Sequence, residues 1–355
     1  MSMKKSAVAV ALLAALGAQA QVTLYGTLDL NLSSTKPSVD VGTETSRVTE
    51  VGNGGMTASF IGLAGEEDLG NGLKASFQLE SLVGADTGAS NSASFWSRNA
   101  NVALSSEFGK VTVGRKQKIY YDSVAAFSPF GSAALGTSMT LLNDLAPLQP
   151  AEATVAQVGD GSFTAATLAA ETRAWDNSLT YESPDISGFT AAVQIGLKES
   201  TVNAGNNLAA TAQYNAGPLA VGLGYQVTKL GAAALLSRED SRFNLGASYD
   251  LGVAKLYGQI GKIKWTNTVT GDTAFKADAF QLGATVPFTE EGTVMVSMGQ
   301  AKEKGAEEPT KRTIFSLGYD HNLSKRTDVY GAIKTDKITD LTTGNTVAVG
   351  VRHRF

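Results

Sequence analysis

The stretch VAVGVRHRF, residues 347–355, reads as a strand that closes on a bare aromatic ring. Val347, Val349, Val351, His353 and Phe355 fall on one face, and Thr346, Ala348, Gly350, Arg352 and Arg354 on the other, a period of two. A soluble sheet would set the valine face on a core, leave the arginine face in water, and usually follow the strand with a polar tail. No such tail is written here, so the rest of the sequence decides what the valines face.

The 355 residues include 38 Gly, 8 Pro and no Cys, and carry no sustained apolar 3.6 periodicity after the first twenty positions, which points to β structure. Without cysteine there is no disulfide framework and no thiolate metal site; no cofactor is expected. The opening MSMKKSAVAVALLAALGAQA has Lys4 and Lys5 ahead of an apolar run from Ala7 to Leu16, then Ala18-Gln19-Ala20. That is the grammar of a secretory signal peptide, residues 1–20, with the mature chain at 21–355. Removal takes away two lysines and no acid, leaving 27 bases against 33 acids and a charge of −6 in place of −4, which argues against nucleic acid as a partner.

No later segment is apolar for eighteen residues, so helical membrane spans are not expected. A mean hydropathy of −0.03 is what a set of strands with one greasy and one wet face would give. The first strand, VTLYGTLDLNL at 22–32, sets Val22, Leu24, Leu28, Leu30 and Leu32 against Thr23, Tyr25, Thr27, Asp29 and Asn31. The same grammar recurs at 56–67, 73–83, 97–106, 110–116, 175–183, 189–198, 208–216, 219–229, 242–250, 253–265, 276–288, 293–303, 311–322, 327–337 and 345–355. With the first, these are about sixteen strands, an even number.

Short turns rich in Gly, Pro, Asp and Ser, such as DLGNG (68–72), SEFG (106–109) and TEEG (289–292), alternate with longer polar links. A sandwich has no reason to gather its long loops at one end. A barrel inserted from the periplasm does. Aromatic residues near strand ends, among them Tyr25, Phe60, Trp175, Trp265, Phe280, Phe315 and Phe355, read as an interfacial girdle. Closure places the last strand beside the first, near Val22, because an open edge in hydrocarbon leaves backbone groups unpaired.

At SFIGLAGEEDLGNGLKASFQLES (59–81), NANVALSSEFGKVTVGR (99–115) and the terminal RHRF, the sequence resembles the trimeric porins of Gram-negative outer membranes, most closely the β-proteobacterial and neisserial general porins. The resemblance implies an all-β fold, a transmembrane antiparallel β-barrel of 16 strands with a long third outer loop folded into the lumen. It further implies a homotrimer in the lipid and lipopolysaccharide of the outer membrane, assembled by the barrel assembly machinery with Phe355 as the signal, and passive diffusion of ions and small hydrophilic solutes. The alternative is a substrate-specific channel with an internal binding site.

One link breaks the rhythm. From Gln117 to Ala174 no segment alternates, yet Tyr120, Tyr121, Phe127, Phe130 and several Leu are too apolar for a disordered surface loop. Its position after the fifth strand matches the constriction loop that the resemblance implies; a trimer-capping or receptor-like outer loop is the alternative. Constriction chemistry needs acids on the loop opposite bases on the wall, since a transverse field orients dipolar solutes. Loop candidates are Asp122, Asp144, Glu152 and Asp160; wall candidates are Lys74, Arg98, Arg115, Lys116 and Arg173. Lys74 is inward by parity, whereas Arg98 and Arg115 share parity with outward valines and need a local irregularity to face the lumen. The charge preference leans to anions.

A barrel enzyme would need a Ser/His or Asp/His constellation at a rim. His321 and His353 stand near strand ends, outward by parity and without a nucleophile or metal-ligand partner in sequence, so catalysis is not expected.

Overall fold

The computed structural model describes residues 22–90, 94–136, 141–142, 173–198, 205–230 and 238–355. The signal-peptide reading of residues 1–20 lies outside them.

Eighteen strand segments appear among the described residues: β1 (Thr23–Lys36), β2 (Val48–Asn53), β3 (Phe60–Gly70), β4 (Leu73–Gly84), β5 (Ala89–Ser90), β6 (Asn99–Ser106), β7 (Gly109–Gln117), β8 (Ala174–Glu182), β9 (Phe189–Gly196), β10 (Asn207–Ala216), β11 (Leu219–Leu230), β12 (Arg238–Asp250), β13 (Lys255–Asn267), β14 (Thr273–Pro287), β15 (Gly292–Glu303), β16 (Lys311–Asn322), β17 (Thr327–Ile338) and β18 (Gly344–Arg354). One helix, α1 (Ile119–Ala126), follows β7. The wall strands pair antiparallel in chain order, β2 and β3 both on β1 and β6 on β4, and β18 returns to pair with β1 from Thr27↔Arg354 to Lys36↔Asn345. The ring is closed. It has sixteen positions because β2 and β3 share one place beside β1, at Leu30–Thr35 and Thr23–Thr27 respectively, and β5 is a two-residue return on β4.

The alternation read from the sequence sorts the two faces. On β1, Leu24, Leu28 and Leu32 are 57%, 41% and 54% exposed, while Thr27, Asp29, Asn31 and Ser33 are buried. Greasy side chains left open around a whole barrel need a hydrocarbon neighbour. The valines of β18 are exposed likewise, so this last strand presents them to the membrane side and turns Arg352 inward.

Connections at one end are tight, as at 70–73, 106–109 and 250–255, with Asn71 and Gly70 at positive φ. At the other end several strands run beyond the expected bounds. β13 and β14 continue to Asn267 and from Thr273, leaving five residues where a ten-residue link is expected. Beyond the hydrocarbon both faces meet water, so the alternation fades from the sequence while the backbone goes on pairing.

The second strand is not continuous. Residues 54–59 leave the wall between β2 and β3, where the sequence predicts a strand from Met56. The Asp29 carboxylate accepts from the backbone N–H of Met56 at 2.8 Å, the N–H of Thr57 at 2.6 Å and the Tyr330 hydroxyl at 2.5 Å. Those bonds replace ladder pairing for the detached turn.

Four girdle aromatics face inward instead. Tyr25, Phe60, Trp175 and Trp265 lie on the lumen side, whereas Phe280, Phe315 and Phe355 keep the outward side. Trp175 is turned by an irregularity in β8: Gly114↔Ser178 and Lys116↔Trp175 bracket one residue on β7 and two on β8, with Asn177 at φ 50. One extra residue reverses parity.

Candidate pore constriction

The link after β7 leaves and returns at one point. Gln117 pairs with Ala174, and the Lys118 N–H donates to the Arg173 carbonyl at 2.9 Å, so the segment between is an excursion from a shared stem. From there α1 rests on the inner side of β9–β12. It buries Ile119, Tyr120, Tyr121 and Val124 and exposes Asp122.

Beyond α1 the apolar side chains find glycines. A Cβ added to Gly246 would sit 2.5 Å from the Phe127 ring, and one at Gly222 2.7 Å from the same ring. Pro129 covers Gly283, Phe130 covers Gly318, Leu141 covers Gly299 and Leu142 covers Gly261. These glycines belong to β11–β16, with Gly222, Gly246, Gly261 and Gly299 buried on the inward parity. Each missing side chain is a socket, and close packing gives such a fit its energy. Polar bonds finish the attachment: Ser316 Oγ donates to the Leu135 carbonyl at 2.6 Å, Lys334 Nζ to the Ala134 carbonyl at 3.1 Å, and Arg242 Nη1 to the Leu142 carbonyl at 3.0 Å. Arg242 is fully buried and forked onto Asp240, both bonds 2.9 Å. The sequence reading missed these partners. The signal was the inward row Asp240, Arg242, Asn244, Gly246, which is polar and then empty on a single strand.

The candidate charges divide. Lys116 faces inward, its Nζ 3.3 Å from Glu182. Arg98 stands just before β6, where the ladder begins, and turns in against parity: its Nε is 3.3 Å from Glu80 and its guanidinium lies 4.0 Å over the Phe60 ring. Glu80 also accepts from the Tyr25 hydroxyl at 2.8 Å and from the Asn99 amide. Asp122 accepts from the Gln117 amide at the stem of the loop. Enclosure by the surrounding wall pushes its carboxyl above the usual carboxylate range, while Gln117, Lys116 and Arg98 pull it back. The side chain itself is exposed to water. Asp122, Lys116 and Arg98 therefore act on one another within one neighbourhood.

The others stand apart from it. Arg115 keeps the outward parity of Val111 and Val113, and its guanidinium is taken by Asp176 at 2.5 Å and the Ser97 carbonyl at 2.8 Å. Lys74 lies beside the 70–73 turn, paired with Glu66 at 2.6 Å. Arg173 enters through its backbone carbonyl at the stem. Asp144, Glu152 and Asp160 lie outside the described residues.

Comparison with known proteins agrees with this architecture. A sequence profile of the Gram-negative porin family matches residues 7–341. The chain is 32% identical over 357 residues to outer membrane porin protein 32 of Delftia acidovorans, covering 98% of this chain and 94% of that one. It is 32% identical over 203 residues to the major outer membrane protein P.IB of Neisseria meningitidis serogroup B, covering 56% and 51%. Among solved structures, the anion-selective porin from Comamonas acidovorans superposes with a TM-score of 0.78 at 28% identity, covering 95% of this chain and all of that one. With a closed sixteen-strand wall, an outward apolar face and an inward polar one, the chain belongs to the Gram-negative porin family and forms an outer-membrane channel for passive diffusion, not an enzyme.

Proposed function

We propose that residues 117–174 form the constriction of this channel, that Asp122 and the bases Lys116 and Arg98 set the field there, and that the channel passes small hydrophilic solutes with a preference for anions. One observation carries the reading: Phe127, Phe130, Leu141 and Leu142 fill sockets left by inward wall glycines. A loop capping the mouth would leave those sockets empty. The anion preference rests on the bases gathered near Asp122 and on the likeness to a relative described as anion-selective. Three copies are expected to associate through the outward faces of the first five wall positions, β1–β4, β6 and β7, together with β18, where small and β-branched side chains pack better against a like surface than against mobile lipid tails.

The test is deletion of Asp122–Leu148 with the ends rejoined. The barrel is expected to fold, since loops tolerate shortening better than strands do. Conductance should rise and larger sugars should enter liposomes in a swelling assay. An unchanged size cutoff would put the constriction elsewhere. A wild-type reversal potential favouring cations under a KCl gradient would overturn the anion preference, and a conductance blocked by one sugar or organic acid would favour a substrate-specific channel.

A further inference from the structure

The turn at 54–59, which leaves the wall between β2 and β3, meets the loop that follows β7. Beyond α1 that loop passes the inner wall in strand order. Phe127 lies over Gly222 of β11 and Gly246 of β12, Pro129 over Gly283 of β14, and Phe130 over Gly318 of β16, and the Ala134 carbonyl accepts from Lys334 of β17. The next support is the detached turn. Its Met56 is buried together with Phe130, Ala133 and Leu135 of the loop and with Met295, Tyr330, Ala332 and Ala348 of the inward wall. The Leu135 N–H reaches the Gly55 carbonyl at 3.5 Å.

The turn is itself held firmly. Asp29, fully buried, accepts from the Met56 and Thr57 N–H groups and from the Tyr330 hydroxyl, and its own carbonyl accepts from the Gly54 N–H at 2.8 Å. Arg352 Nη1 donates to the Thr57 hydroxyl at 2.9 Å, while its Nε is held by Asp328 at 3.0 Å and its Nη2 by Asp320 at 2.8 Å. Gly54 takes a φ of 79, and a Cβ at Gly55 would run into the Tyr330 hydroxyl, so the pair of glycines lets the turn lie flat on the wall. A carboxylate buried this deeply is costly unless its lone pairs are filled, and an unbroken strand between β2 and β3 would have no use for it.

We infer that the 54–59 turn is a brace that positions the far end of the constriction loop, with Met56 as its side-chain contact, and that it thereby sets the width of the passage. The inference rests on residues 117–174 being the constriction. The stem at Gln117 and Ala174 and the packing of α1 fix the near end of the loop. Without Met56, Phe130 and Leu135 lose close-packed neighbours on one side, and the stretch from Phe130 to Gly136 gains freedom while α1 stays in place.

The experiment records single channels of the full barrel in planar bilayers under KCl. In M56A the open-channel current noise should rise several-fold and the mean conductance should increase. M56L keeps the volume and should stay near wild type. M298A makes the same truncation on the outward face and should match wild type. Thr57→Val keeps the shape but removes the hydroxyl that Arg352 holds, and should give a smaller rise of the same sign, a comparison that stands if M56A folds poorly. Placed in the Asp122–Leu148 deletion, M56A should change nothing further, because the segment it positions is gone. Folded M56A channels as quiet as wild type, or an equal effect with and without the loop, would overturn the brace alone. An unchanged size cutoff in the deletion would overturn the constriction and the brace with it.

Discussion

Phe355 and Gly26 exchange both backbone hydrogen bonds, at 3.1 and 3.2 Å, and the Phe355 ring lies over the bare Cα of Gly26, where a Cβ would meet it at 2.6 Å. The seam between β1 and β18 thus ends on a residue pair with no spare room. A ring laid across a glycine in a neighbouring strand fills the gap the glycine leaves and shields the last pair of ladder bonds.

Phe355→Ser should therefore cut the yield of folded barrel several-fold while single-channel conductance stays unchanged, because the ring lies on the outward face of the wall. The folded fraction is read from heat-modifiable migration on gels. Normal yield would remove Phe355 from the assembly account.

Gly246→Val places a branched side chain where the Phe127 ring and its Cβ already sit. The barrel should still close, at a cost of about 1–3 kcal/mol from overpacking. The loop should loosen, which noisier and larger single-channel currents would report. Gly331→Val is the matched control, because its nearest neighbour stands 3.8 Å away.

Asp29→Ala leaves the Met56 and Thr57 N–H groups and the Tyr330 hydroxyl without their shared acceptor. Loss of several hydrogen bonds to one buried charge should cost about 3 kcal/mol. Thermal unfolding and amide exchange confined to residues 54–59 and their neighbours would check it. Asp29→Asn keeps one acceptor oxygen and should lose less.

Much of this was legible. A two-residue period sorts lipid-facing from lumen-facing positions without any fold in hand, and on β1 and β18 it does so residue by residue. It fails where one residue is inserted or a segment leaves the wall. The extra residue near Asn177 turns Trp175 inward, and nothing local distinguishes Asn177 from any polar wall residue. Asp29 reads as an ordinary lumen position, so the break between β2 and β3 does not show. The apolar content of 119–136 says that it packs on something. That Phe127 belongs over Gly246 depends on positions more than a hundred residues apart, which no periodicity connects.

The constriction is tested most directly at Asp122. The natural chain has no cysteine, so Asp122→Cys creates a single reactive site. With one such channel in a planar bilayer, a cationic methanethiosulfonate reagent is added while current is recorded. If Asp122 lines the narrowest part, the current should fall in discrete steps as each pore is modified, and anion preference should strengthen. Full modification, verified by mass, with neither conductance nor selectivity altered would contradict the account.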